Sequence, residues 1–158
     1  MLGGLVDVSL TCASTAQLPE LLTIERAAFD TTTQWSAQLW REELAAGGLV
    51  LLANAPDGTP AAVAAFRVSG NTAEVFRVAT LPARRRAGHA TRCLRAGIDW
   101  ARSFGVHEVL LEVAADNIAA STLYEQLGFA TFNRRVGYYQ GKDALLMRLE
   151  LAEEQEQL

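Results

Sequence analysis

A chain of 158 residues, half of them hydrophobic and one-fifth charged, is long enough to bury about two-thirds of the surface its unfolded form would expose, and it shows none of the compositional marks of disorder. Its net charge of −4 argues against sequence-independent nucleic-acid binding as a main task, because neutralising phosphates needs a broad basic excess. No stretch reaches the roughly 18 apolar residues of a membrane span and no leader pattern opens the chain, so a cytoplasmic protein without membrane contact is expected. Cys12 and Cys93 lack metal-ligand spacing and read as reduced thiols. His89 and His107 sit at no ligand spacing either, so no metal is expected and both default to surface positions.

Taken in order, 5–10 alternates as a first strand, and Thr11–Gln17 is a polar stretch offering Ser14 or Thr15 as a helix cap. Leu18–Phe29 carries Leu18, Leu21, Leu22, Ile24 and Ala28 on one broad face and predicts a helix. Asp30–Thr33 breaks it. A second, shorter helix follows Ser36, its expected cap, with Leu39, Trp40 and Leu44 turned inward and Gly47-Gly48 at its end. Leu49–Ala53 and Ala61–Val68 predict a hairpin about the turn Pro56–Pro60, and Gly70-Asn71 turns the chain into a strand over Thr72–Thr80. A basic loop follows, Ala83-Arg84-Arg85-Arg86-Ala87-Gly88-His89-Ala90, and then a helix with Ala90, Leu94, Ile98 and Ala101 on one face.

Beyond Phe104-Gly105, Glu108–Val113 predicts an apolar strand interrupted by Glu112. Ile118–Gln126 predicts a helix, with Gly128 just past its C-cap. Phe129–Arg135 and Asp143–Leu151 predict two last strands joined by the 137–141 connection. Tight turns require antiparallel neighbours, whereas the strand–helix–strand unit from Thr72 to Val113 requires a parallel crossover. The expected fold is therefore α/β: a mixed, mostly antiparallel sheet of about seven strands with four helices. Residues 1–151 read as one domain and 152–158 as a frayed acidic tail.

The basic loop is the first candidate site. A glycine between strand and helix, flanked by arginines, offers unsatisfied main-chain N–H groups and the positive end of the helix dipole to an anion such as phosphate. Three adjacent arginines are equally consistent with a solvated surface.

Arg85-x-x-Gly88-x-Ala90 resembles the acyl-CoA-binding motif of the GNAT N-acetyltransferase superfamily. Asn117-x-x-Ala120-x-x-Leu123-Tyr124-x-x-x-Gly128-Phe129 is similar to that superfamily's second landmark. Within it, the likeness extends over nearly the whole chain to the ribosomal-protein alanine N-acetyltransferases, through Leu111-Glu112-Val113, Asp116-Asn117, Leu123–Phe129, Arg134-Arg135 with Tyr138-Tyr139, and Asp143–Met147. Phe29 and Trp35-Ser36 resemble the subfamily's Phe-x-x-Pro-Trp-Ser segment. Gln34 stands where proline is usual, the Phe-to-Trp spacing is longer, Arg77 stands where asparagine is common, and Val136-Gly137 adds length before the tyrosine pair.

The resemblance implies acetyl-CoA as cosubstrate and a pair of parallel strands that splay apart beside it. Its pyrophosphate would lie on the loop formed by Arg85, Arg86, Ala87, Gly88, His89, Ala90 and Thr91. Val78, Ala79 and Thr80 would pair with the pantetheine arm through their main chain, and Asn117 would reach the same arm. Glu112 is implied as general base, and desolvation inside an apolar strand would make it a stronger one; on pattern alone it reads as a surface glutamate. Tyr124 is implied as the acid for the leaving thiolate, and on pattern alone it reads as a core tyrosine.

The implied acceptor is the α-amine of a protein N-terminus, a ribosomal protein beginning with alanine, bordered by Trp35, Tyr138 and Tyr139. Asp30, Glu42 or Glu43 would attract a basic peptide. Two other readings remain open at this point: the same enzyme class acting on a small-molecule amine or a lysine side chain, and a non-catalytic acyl-CoA-binding module. Oligomeric state is not legible.

Overall fold

The computed structural model describes residues 9–139 and 141–151. Its elements are β1 (Leu10–Cys12), α1 (Leu18–Ala28), α2 (Ala37–Ala45), β2 (Leu49–Asn54), β3 (Pro60–Ser69), β4 (Thr72–Thr80) and α3 (His89–Arg102), then β5 (Glu108–Ala114), α4 (Ile118–Gln126), β6 (Ala130–Tyr139) and β7 (Lys142–Glu150). The strands form one seven-stranded sheet in the order β1-β2-β3-β4-β5-β7-β6. This is the mixed, mostly antiparallel sheet that the turn chemistry and the crossover required. The parallel ladder joins Thr72–Glu74 to Glu108–Leu110, and Val78, Ala79 and Thr80 lie beyond its end.

Several boundaries differ from expectation. The first strand was expected over 5–10; residues 1–8 lie outside the described residues, and β1 takes in Thr11 and Cys12, expected as polar loop. Antiparallel pairing with Leu51–Ala53 draws them into the sheet. Ser14 caps a single 3-10 turn, Thr15–Gln17, in a capping box with Gln17, and α1 begins directly after it. Leu39, expected to face inward, is exposed. Strand β6 runs on to Tyr139, so the connection to β7 is shorter than expected. The acidic segment 152–158 lies outside the described residues.

Packing divides the described residues into two compact units, one comprising those up to Phe66 together with Arg77–Gly97, the other Arg67–Phe76 and those from Ile98 onward. In the first unit, alternation along the strands sorts side chains to two faces. Val50 and Leu52 of β2, Val63 and Ala65 of β3 and Ala79 of β4 pack with Leu21 and Ile24 of α1 and Trp40 of α2. On the other face α3 lies against β3, where Cβ of any residue replacing Gly97 would come within 2.0 Å of the Phe66 ring. Ala61 to Phe66 are all fully buried. A strand covered on both faces has no polar side, which is why this stretch reads as a continuous apolar run rather than an alternation. Its small side chains leave room for the helix backbone to approach.

In the second unit β5 pairs along its whole length with β7, from Glu108 opposite Glu150 to Ala114 opposite Ala144, and β7 pairs with β6. Between Arg135 and Tyr139 the β6 register slips by two residues relative to Lys142–Ala144. Gly137 supplies the positive φ of this bulge, 67°. Asp143 clamps it: Oδ1 accepts from Gly137 N at 3.0 Å and Oδ2 from Arg134 Nε at 2.6 Å. The added Val136-Gly137 is thus absorbed as a bulge, with Val136 pointing to solvent.

Candidate functional site

The basic loop leaves regular backbone conformation at two residues. Arg86 and Gly88 adopt left-handed φ of 64° and 81°, and turns that mix left- and right-handed residues are the kind of backbone that can form an anion-binding concavity. The first bond of the α3 ladder runs from Arg92 N to Gly88 O at 3.0 Å, so the amides ahead of Arg92 precede the helical hydrogen bonds. A side chain at position 88 would meet no neighbouring atom within 4 Å; glycine is required there by conformation, and the open space beside it is where an anion would approach. Gly88→Val is expected to weaken coenzyme A binding by an order of magnitude or more through roughly 1–3 kcal/mol of backbone strain and the obstructed approach, read by calorimetry with folding checked by circular dichroism.

The three arginines divide. Arg84 is tied to the β2–β3 turn by Asp57 at 2.5 Å. The Thr59 main-chain and hydroxyl hydrogen bonds, with Arg84 beside them, hold the Asp57 carboxyl down at about 2. Arg85 and Arg86 are exposed and remain the candidates for added positive charge. His89, expected at the surface, is buried at 7% exposure. Its Nδ1 lies 2.6 Å from Arg92 Nη2, and Arg92 also contacts Ser9 Oγ. An arginine can only donate, so Nδ1 is the acceptor and Nε2 carries the proton.

In the second unit Asn117 is the N-cap of α4, its Oδ1 accepting from Ala120 N at 3.2 Å. That uses the acceptor half of the amide. Tyr124, on the same helix, is buried and meets Phe129 edge-on at 6.0 Å. Burial pushes its phenol up to about 12, so it is a neutral hydrogen-bond donor throughout the physiological range.

Glu112 is not desolvated as expected. It is exposed, with a side-chain exposure of 34%, because its position on β5 alternates with the buried Leu111 and Val113. Arg135 Nη1 of β6 approaches its Oε1 at 3.5 Å and stacks over the Tyr138 ring at 5.0 Å. The structure thus joins Glu112, Arg135 and Tyr138 in one cluster. Tyr139 ends β6. Glu43, named as a possible attractor for a basic peptide, is buried at 4% exposure and does not present its charge to solvent.

Trp35 lies on the segment between α1 and α2, its ring 4.8 Å from Trp40. Here the structure shows a cluster that the sequence reading missed. Glu25 of α1 is fully buried and accepts from Trp35 N at 2.8 Å, from Trp40 Nε1 at 3.2 Å and from the Arg77 guanidinium. The signal was available: Glu25 falls on the Leu18, Leu21, Ala28 face of α1, and a carboxylate on an apolar stripe must find a partner.

The model of the acetyltransferase (GNAT) family matches residues 15–129. This chain belongs to the GNAT acetyltransferase family. It is accordingly an acetyl-CoA-dependent N-acetyltransferase.

Among curated relatives, this acetyltransferase is 34% identical to the [ribosomal protein bS18]-alanine N-acetyltransferase of Salmonella typhimurium over 148 residues, covering 91% of this chain and 98% of that one. It is 41% identical over 61 residues to N-alpha-acetyltransferase 30 of Schizosaccharomyces pombe, covering 38% of this chain and 41% of that protein. Among solved structures, the ribosomal-protein-S18-alanine N-acetyltransferase from Escherichia coli superposes with a TM-score of 0.81 at 31% identity, over 94% of this chain and 98% of that one. Among the described residues of this acetyltransferase, no helix is long and apolar enough to cross a membrane.

Proposed function

We propose that this GNAT enzyme is a cytoplasmic N-terminal acetyltransferase that moves the acetyl group of acetyl-CoA to the α-amine of a protein, a ribosomal protein beginning with alanine being the favoured acceptor. The observation that carries the reading is the likeness to the Salmonella typhimurium enzyme along nearly the full length of both chains. In this reading residues 1–151 act as one catalytic domain.

The chain's residues take the following roles. Main-chain amides of the Arg85–Thr91 loop bind the diphosphate, with Arg85 and Arg86 adding charge. Val78, Ala79 and Thr80 pair as a strand with the amide-bearing arm, and the Asn117 amide donates to it. Glu112, directly or through one water, takes a proton from the incoming α-amine, which with a reference pKa near 8 is mostly protonated at neutral pH. The amine nitrogen bonds to the acetyl carbonyl carbon as the carbon–sulfur bond breaks and the electron pair leaves on sulfur; of the two protons the ammonium loses on becoming the amide, one goes to Glu112 and the second to the departing thiolate, which leaves as the thiol.

Tyr124 meets that developing thiolate. A phenol at about 12 stands well above an ordinary thiol near 8.5, so full proton transfer from it is uphill, and its contribution is a hydrogen bond to sulfur that strengthens as charge develops. Tyr124→Phe, which keeps the ring packing against Phe129, is expected to lower kcat on the order of 10²-fold with little change in acceptor KM. The alkaline limb of the wild-type pH profile should show no titration from this phenol below pH ~11.

The proposal is tested by thiol release from acetyl-CoA with peptides differing in their first residue, set against lysine peptides, amino acids and polyamines. Preferred turnover of peptides beginning with alanine supports it. Preferred turnover of a small amine or a lysine side chain overturns the acceptor assignment.

A further inference from the structure

Four donor atoms converge on the buried carboxylate of Glu25: Trp35 N, Trp40 Nε1, and Nε and Nη2 of Arg77. Such a charge is tolerable inside a protein only when it is paired and its oxygens are saturated with hydrogen bonds. Arg77 does more than neutralise it. Its Nη2 also donates to Thr33 O at 2.8 Å, and its guanidinium lies 3.7 Å from the centre of the Phe29 ring and 4.9 Å from that of Trp35. One planar group therefore grips residues 29–35 at a main-chain carbonyl, at two aromatic faces and, through Glu25, at the Trp35 amide.

The gripped segment is otherwise held at its two aromatic ends, where Phe29 and Trp35 pack against the core cluster around Leu21, Ile24 and Trp40, and by Gln34 Nε2, which donates to Arg26 O of α1 at 3.3 Å. Between those ends Thr31, Thr32 and Thr33 are exposed; the bonds from Thr32 and Thr33 to Asp30 Oδ1 and from Gln34 Nε2 to Phe29 O fix the shape of the turn, and the Arg77 bond to Thr33 O ties its tip to β4. Arg77 also immediately precedes Val78, the first of the three residues assigned to the acyl-donor arm. One strand thus carries the donor's main-chain contacts and, one residue earlier, the side chain that seats the segment bearing Trp35.

We infer that the Glu25–Arg77 pair is a positioning element for the acceptor: it sets where Phe29 and Trp35 stand relative to the acyl-bearing strand and so governs acceptor recognition rather than cofactor binding. This inference rests on the acetyl-transfer reading above. Arg77→Lys is the informative variant, because lysine keeps the charge but loses the two-pronged donor geometry and the stacking plane. Removing Arg77 alone leaves a buried unpaired carboxylate and risks unfolding, so the second variant is the double change Glu25→Gln/Arg77→Met, which removes both charges.

In both folded variants the acceptor KM is expected to rise roughly 10- to 100-fold, with kcat at saturating acceptor and the Kd for coenzyme A each changing by no more than about threefold. An unchanged acceptor KM in folded Arg77→Lys overturns the inference. So does equal weakening of acceptor and coenzyme A, which marks the pair as general scaffolding. A wild-type protein that binds coenzyme A yet acetylates no amine fails differently: it overturns the functional reading and this inference with it.

Discussion

Glu112→Gln is expected to lower kcat by roughly 10²–10⁴-fold, the range for removing a positioned general base, while leaving coenzyme A affinity nearly unchanged. Glutamine keeps the size of the side chain but accepts no proton, so the amine must lose its proton to water. The partner of this carboxylate makes the prediction sharper. Arg135 approaches Glu112 at 3.5 Å, and an exposed pair of this kind contributes only about 0–1 kcal/mol to stability, so neither Glu112→Gln nor Arg135→Gln should unfold the protein.

Were Glu112 merely an anchor for Arg135 and, through it, for Tyr138, the two variants would lose activity alike. If Glu112 is the base, Arg135→Gln loses far less. Steady-state kinetics on both, with calorimetric coenzyme A titrations alongside, separates the cases. Loss of coenzyme A affinity in Glu112→Gln equal to its loss of turnover would contradict the assignment.

Gly97→Ala is expected to be the most damaging single-methyl change in the first unit. Alanine is the better helix former by about 1 kcal/mol, so an exposed glycine in α3 would tolerate it and even gain. Here the new Cβ would come 2.0 Å from one carbon of the Phe66 ring and 2.1 Å from another. Phe66 is fully buried and has no solvent into which to swing. Overpacking of this kind costs about 1–3 kcal/mol or more, corresponding to roughly 2–4 °C of melting temperature per kcal/mol for a chain of this size.

Phe66→Leu in the same background frees space at the contact, so the double variant should be more stable than the sum of the two single losses, a favourable coupling read from a double-mutant cycle. A melting temperature for Gly97→Ala at or above that of the wild type would show that helix and strand do not meet as described.

Much of this architecture was legible because it obeys local rules. Ser36 caps α2 through Leu39 N, Gly70-Asn71 turns β3 into β4, and the boundaries of β4 and α4 coincide with the segments their periodicity marked out. The place of Gly88 between strand and helix was legible too; its positive φ of 81° is what the structure adds.

What escaped depends on long-range contact. Strand alternation alone gave Glu112 the surface position it holds, and the desolvation expected beside the resemblance is absent; what could not be read is its arginine, 23 residues away in sequence on β6. His89 read as a surface residue, although it is buried and its Nδ1 accepts from the Arg92 guanidinium. Glu25 and Arg77 each broke a pattern, a carboxylate on an apolar helix face and an arginine in an apolar strand. Only their pairing across 52 residues explains why both are there. Arg77 and Gln34 were visible as departures from the resembled enzymes, and the structure brings them to the same segment, Gln34 within it and Arg77 of β4 bonded to it at Thr33 O.

The central claim is that main-chain amides around Gly88 hold a nucleotide diphosphate. Calorimetric titration of the folded protein with coenzyme A, in parallel with pantetheine, which lacks the diphosphate and nucleotide, tests it most directly. Saturable heat with coenzyme A and far weaker binding of pantetheine is the predicted result. No heat of association with coenzyme A, or equal affinity for the two compounds, would contradict it.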